Sequence, residues 1–309
     1  MRNMFANTFY DAAKSDPRLC VVVADISPAG SMEKFRREFP RRFVNTGVAE
    51  QIMIGMCAGM SMRGLKPFAY TIATFALFRP YEFIRDDLCY QGLPVTVVGV
   101  GGGVTYSTLG GTHHAMEDVA IASSLPNMRV IAPCDPEEAR AATQWCIAQE
   151  EGPVYLRLGK AGEPVLTAKA SRPFEFGKIR TLREGSDACL IGYGPTLKMA
   201  IEAAEALGAR GVSAAVVNVH TLKPLDREGI AAVLTRYPRV VVVEEMVPRG
   251  GLADAVKGLA WEAGARCKLS CLSLQDEFIH TYGKHEELLA AHGLSTAHIL
   301  RCFDGVAPA

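Results

Sequence analysis

Short β-branched runs alternate with helix-patterned stretches along almost the whole chain, and this alternation constrains the fold more than any other feature. Val21-Val22-Val23-Ala24, Thr96-Val97-Val98-Gly99-Val100, Met128-Arg129-Val130-Ile131 and Val154-Tyr155-Leu156-Arg157 read as buried strands. Between them, Glu50 to Met62 is a small-residue helix, apolar nearly all round, and it should be buried in the protein or in an interface. Asp135-Pro136-Glu137-Glu138 opens another helix, with a capping Asp, a proline in the first turn and acids at the positive end of the dipole. Such alternation predicts an α/β domain on a mostly parallel sheet. The pattern lapses around Gly162, Pro164, Pro173, Gly177 and Gly185, then resumes with strands at Ala188–Ile191, Ala214–Val219 and Val240–Val243 and helices from Thr196, Arg227 and Gly251. The expectation is two α/β domains, 1–165 and 187–309, joined by a linker over 166–186, the second domain being the smaller.

Composition narrows the function. With 309 residues, 49% hydrophobic, the chain can build two cores. Its 33 basic and 33 acidic side chains leave no surplus charge to neutralise phosphates, so no nucleic-acid partner is expected. The basic run Arg36-Arg37-Glu38-Phe39-Pro40-Arg41-Arg42 reads as a solvated helix end. No stretch reaches the roughly 18 apolar residues of a membrane span, and the first residues lack the long apolar core of a secretory signal. The nine cysteines sit in apolar surroundings and read as buried free thiols of a reducing cytoplasm. Cys267 and Cys271 have no second Cys/His pair nearby, so no metal site is expected in this chain.

Four stretches invite a chemical reading. Gly101-Gly102-Gly103 follows a strand but lacks the Lys-Ser/Thr ending of a P-loop and the spacing of a dinucleotide fingerprint. Gly192-Tyr193-Gly194-Pro195 is equally unspecific. Gly47-Val48-Ala49-Glu50-Gln51 places one carboxylate between a strand and an apolar helix. Glu50 could simply cap the helix N-terminus, or be a buried acid with a raised pKa whose proton is offered to a ligand. In Thr74-Phe75-Ala76-Leu77-Phe78-Arg79-Pro80-Tyr81, the aromatics Phe75, Phe78 and Tyr81 recur every third residue. Such a stripe is usually core packing.

The last two of these, in order and followed by the loop Gly111-Thr112-His113-His114, resemble the thiamine-diphosphate-dependent transketolases. That family has a G-V-x-E motif, then T-F-x-x-F-x-x-Y, then a glycine-bearing loop ending in T-H, here Gly111-Thr112-His113. Ala24-Asp25-Ile26-Ser27-Pro28 is similar to the segment after the family's first pyrimidine-domain strand. Tyr282-Gly283 through Gly293-Leu294 is similar to its C-terminal domain. The resemblance covers nearly the whole chain but only the last two of a transketolase's three domains, and no Gly-Asp-Gly of the diphosphate-binding domain occurs. It therefore implies a parallel-sheet pyrimidine-binding domain and a smaller α/β C-terminal domain, together the C-terminal subunit of a split enzyme. The partner would be an N-terminal subunit holding the diphosphate through Mg²⁺ (or Ca²⁺), in an α₂β₂ assembly with the Glu50–Met62 helix near a boundary between subunits.

The resemblance also implies roles. Glu50 would hydrogen-bond N1′ of the cofactor's aminopyrimidine. Phe75, Phe78 and Tyr81 would form the pyrimidine pocket, with Phe78 stacked on the ring. His113 would face the substrate and manage hydroxyl protons, with its neighbour His114 a bystander. Arg2, Asp25 and Lys160 would join His113 in binding substrate. His220, His280, His285, His292 and His298 are expected to be surface or structural groups. The reaction would transfer a two-carbon ketol unit from a ketose to an aldose through the carbanion at thiamine diphosphate C2. Decarboxylative transfer from pyruvate, as in deoxyxylulose-phosphate synthases or keto-acid dehydrogenase β subunits, is the alternative, and a non-catalytic assembly subunit is another.

Departures from the family point to an unusual sugar. Lys160 stands in for a phosphate-binding arginine and loses its bidentate fork. Ala29 replaces a serine, Gly101 a histidine and Leu109 an aspartate that contacts a donor hydroxyl.

Overall fold

The computed structural model describes residues 1–25 and 31–304. Its strands are β1 (Leu19–Val23), β2 (Phe43–Asn45), β3 (Lys66–Ile72), β4 (Thr96–Val100), β5 (Arg129–Ile131) and β6 (Val154–Leu158), then β7 (Arg180–Arg183), β8 (Ala188–Gly192), β9 (Ala214–Asn218), β10 (Thr221–Lys223), β11 (Arg239–Val243) and β12 (Lys268–Leu272). One sheet runs in the order β10-β5-β6-β4-β3-β1-β2 and the other β12-β11-β8-β9-β7. Within each sheet the pairings are parallel except at one edge, where β10 on β5 and β7 on β9 are antiparallel. The fully buried strands β1, β3, β4 and β6 show why continuous apolar runs were the sequence signal: helices cover both faces.

One face of the first sheet carries an aromatic core of Phe5, Phe9, Phe35, Phe68 and Tyr70, with Phe9 edge-on to Phe68 at 4.8 Å between centroids. Burying each such ring stabilises the fold by roughly 1.5–3 kcal/mol. The other face packs on the helix Glu50–Met62 through Met53, Ile54, Cys57 and Ala58. That helix is only half sheltered: Ile52 and Met62 on its outer side, with Val48 just before it, are at least 60% exposed. The Asp135 cap forms as expected, one carboxylate oxygen accepting from the Glu138 N–H at 2.7 Å.

Two features of the chain's course depart from the sequence reading. Arg180–Arg183, read as linker, is the edge strand β7, and Thr221–Lys223 crosses from the second half to extend the first sheet. The second half thus supplies the edge strand of the first sheet. The basic run is also not wholly solvated. Arg36, Arg37 and Arg41 are exposed, but Arg42 donates to the carbonyls of Ala13 and Asp16 at 3.0 Å, past the end of the helix Arg2–Ala13. Free carbonyls at a helix C-terminus attract a cation, and the guanidinium also covers the Phe39 ring at 3.9 Å. All nine cysteines are free, and seven are buried. Among the described residues no helix is long and apolar enough to cross a membrane.

Candidate active site

The turn from β2 into the helix Glu50–Met62 passes through Gly47 at φ 71°, a conformation that other residues adopt only under strain. It sets Glu50 at the first position of the helix, 2% exposed. A carboxylate so placed gains from the helix dipole but lacks water, so it needs a donor. Arg79 supplies one, its Nη1 donating to Glu50 Oε1 at 3.0 Å.

Arg79 comes from the segment after β3. The chain forms a short helix (Ala73–Leu77), then another (Tyr81–Phe83) that widens into a π-helix (Ile84–Tyr90). Wide turns of this kind are frequent at functional sites. The segment puts Phe75, half-buried, under the Arg79 guanidinium at 4.2 Å and edge-on to the His113 ring at 5.2 Å. Phe78 and Tyr81 lie further back, packed on the core, with the Tyr81 hydroxyl 3.0 Å from that of Ser124. Glu50, Phe75, Arg79 and His113 are therefore brought together. Sequence reasoning passed over Arg79, although a lone cation inside an aromatic stripe was a visible signal.

His113 lies at the end of a loop whose neck is closed by an antiparallel bridge between Gly103 and Ala115. Burial, and then the Arg79 charge, hold its pKa below the ordinary histidine value. The imidazole is thus neutral at neutral pH and free to take a proton. Its Nδ1 shares a hydrogen bond with the Thr112 hydroxyl at 2.9 Å, leaving Nε2 as the outward nitrogen. His114 is buried, and neither of its ring nitrogens has a hydrogen-bond partner among the described residues.

The same loop explains the glycine at 101. A Cβ there would lie 2.2 Å from the Tyr106 ring, so Tyr106 fills the space a side chain would need. Tyr106 is also where Arg2 and Lys160 converge. The Lys160 ammonium stands 5.0 Å from its ring centroid. Burial raises the Tyr106 pKa, and the Arg2 charge opposes the rise. Arg2 Nε is buried with no partner among the described residues. The Tyr106 ring lies 6.3 Å from that of His113, which places the Lys160 ammonium on the His113 side of the loop. Asp25 is exposed, at φ 53°, with its N–H on Asn45 Oδ1 at 3.2 Å. Ala29 and the neighbouring Ile26, Ser27 and Pro28 lie outside the described residues. Leu109 is half exposed.

Comparison with known proteins identifies both halves of the chain. Residues 1–162 match the family profile "Transketolase, pyrimidine binding domain", and residues 177–299 match "Transketolase, C-terminal domain". The chain is 32% identical over 300 residues to a subunit of the apulose-4-phosphate transketolase of Phocaeicola vulgatus, covering 97% of this chain and 95% of that one. It is 36% identical over 255 residues to the 6-deoxy-6-sulfo-D-fructose transketolase subunit SqwH of a Clostridium species, covering 82% of this chain and 79% of that one. A solved structure titled "Split gene transketolase, inactive beta4 tetramer" superposes with a TM-score of 0.88 at 33% identity, covering 98% of this chain and 96% of its own. With both domain profiles matched in order and relatives aligned nearly end to end, this chain belongs to the transketolase family.

Proposed function

We propose that this chain is the C-terminal subunit of a split transketolase that transfers a two-carbon ketol unit from a modified ketose to an aldose. The observation that carries the proposal is the sheltered Glu50 carboxylate beside the half-buried face of Phe75, with the neutral His113 ring edge-on to that face. These residues fit the edge and face of an aminopyrimidine. A dry carboxyl group can hold a ring nitrogen, and an aromatic wall suits a flat heterocycle.

Thiamine diphosphate, when bound, supplies the nucleophilic carbon and the electron sink of the reaction. This chain's residues do the rest. Glu50 orients the ring and biases its proton inventory. Phe75, Phe78 and Tyr81 exclude water. His113 takes and returns hydroxyl protons of the sugar, as its lowered pKa allows. Arg2 and Lys160 hold the anionic end of the substrate. The chain has no Gly-Asp-Gly, so the diphosphate and its Mg²⁺ (or Ca²⁺) would be held mainly by an N-terminal partner subunit in an α₂β₂ assembly. The exposed Val48, Ile52 and Met62 would be covered where two subunits meet.

A modified sugar is favoured because Tyr106 fills the space above Gly101 and Leu109 offers no hydrogen bond to a donor hydroxyl. Two similar proteins are named for apulose 4-phosphate and for 6-deoxy-6-sulfofructose, both ketoses other than the usual pentose phosphates.

The test is steady-state kinetics of the enzyme reconstituted with its N-terminal subunit. Branched or sulfonated ketoses should exceed xylulose 5-phosphate in kcat/KM, and Glu50→Ala should remove activity without changing assembly size. Parity with xylulose 5-phosphate would refute the sugar assignment. Release of carbon dioxide from pyruvate would favour decarboxylative transfer. Full activity in Glu50→Ala would favour a non-catalytic subunit.

A further inference from the structure

The His113 loop is gripped from outside its own domain. Directly after β11, Glu245 sends a carboxylate, 1% exposed, into the neck of that loop. Glu245 Oε1 accepts the Val104 N–H at 2.6 Å and bonds His285 Nε2 at 2.8 Å. The neck is shaped to admit it. Gly103 stands at φ 68°, and a Cβ there would lie 2.2 Å from the same oxygen. Three residues before His285, the Tyr282 hydroxyl lies 3.3 Å from where a Cβ of Gly110 would be, at the far side of the loop. The second domain thus touches the loop at its neck and near its tip.

We propose that Glu245 is a positioning residue for the His113 loop, its carboxylate set by His285 and holding the backbone neck at Val104. The inference rests on the transketolase reading for the meaning of His113, but the contact itself does not. A buried charged acceptor with two donors is directional, and losing it leaves the Val104 N–H without a partner. His285 is reachable from solvent, its side chain 29% exposed, on the wall of a cavity of about 750 Å³ that Thr105 of the loop also lines.

The clamp has a pH sign. Burial alone would raise the Glu245 pKa, but His285, Arg157 and the Val104 N–H outweigh it and hold it below the ordinary value. Burial alone would lower the His285 pKa, but the charge and hydrogen bond of Glu245, aided by Glu286 and opposed by Arg157, hold it above the ordinary value. Of the other groups facing the pair, Arg157 is itself paired with Asp118 at 2.8 Å, Lys198 is bonded to Glu286 at 3.2 Å, and burial holds the His114 pKa down. The depressed carboxyl loses its contribution only as pH falls through its folded pKa. The raised imidazole loses its contribution as pH rises through its own. The grip is therefore firm between those limits and loosens as pH rises through the raised His285 pKa.

The experiment is amide exchange, as protection factors, on the isolated full-length chain, followed by kinetics of the assembled enzyme. In Glu245→Gln, residues 103–115 should lose protection by about tenfold to a hundredfold while β3 and β4 keep theirs. His285→Gln, altered at a partly exposed ring, should give a smaller loss in the same segment and abolish its decline with rising pH. In the assembled enzyme both variants should raise KM for the ketose while leaving cofactor affinity near wild type. Unchanged protection of residues 103–115 in Glu245→Gln, or loss spread equally over both sheets, would overturn the proposal. Should Glu245→Gln not fold, unchanged loop protection in His285→Gln does so instead. Exchange needs neither sugar nor cofactor, so an inactive reconstitution would count against the transketolase reading alone.

Discussion

Arg79 donates to Glu50 across 3.0 Å, tying the end of the aromatic segment to the first residue of the Glu50–Met62 helix. The same guanidinium lies over Phe75 and acts on the charge state of His113. One exposed cation therefore bonds Glu50, covers Phe75 and bears on His113 through its charge.

Replacing it separates two causes of the His113 shift. Burial is the larger and the Arg79 charge the smaller, both acting downward. Arg79→Met keeps the cover over Phe75 and removes the charge. The His113 imidazole should then titrate at higher pH than in the wild type, yet still below an exposed histidine. An NMR titration of the ring protons measures this, and an unmoved midpoint would show that the charge is screened.

Lys160 and Arg2 should govern substrate affinity more than turnover. Lys160→Met keeps the stem over Tyr106 but not the ammonium. For an anionic ketose, KM should rise about threefold to fivefold with kcat nearly unchanged, consistent with one exposed charge–charge contact. A neutral ketose should show no such rise. Equal effects on both substrates would remove Lys160 from the anion site.

Asp118 and Arg157 form a buried ion pair at 2.8 Å, and the Tyr155 hydroxyl also donates to Asp118 at 2.8 Å. Asp118→Ala strands a buried guanidinium between the two domains. Urea unfolding should show a loss of about 3–5 kcal/mol. A loss under about 1 kcal/mol would mean that water or Glu245 compensates.

Ile52 is 60% exposed on a helix whose opposite side is core. Ile52→Glu should leave the monomer folded by circular dichroism and prevent assembly in sedimentation experiments. Unaltered assembly would place the contact between subunits elsewhere.

Much of this was legible along the chain. β1, β4, β6, β8, β9 and β11 coincide with apolar runs, because strands covered on both faces must be apolar wherever they lie. The Pro136–Ala148 helix was readable because its cap, proline and acids are local. β10 was not readable. Three residues, Thr221–Lys223, carry no period, and only the edge of β5 makes them a strand. β7 was hidden in the same way, among the prolines and glycines of the apparent linker.

The site divides likewise. The order Glu50, Phe75, Phe78, Tyr81, His113 is a property of the sequence, and so is the absence of Gly-Asp-Gly. That Arg79 reaches Glu50, that Tyr106 fills the space above Gly101, and that Glu245 holds Val104 from 141 positions away were decided by folding. Local patterns record what a residue needs from its neighbours in the chain. A buried charge takes its partner from whatever the packed sheets bring within reach, and that distance is written only in three dimensions.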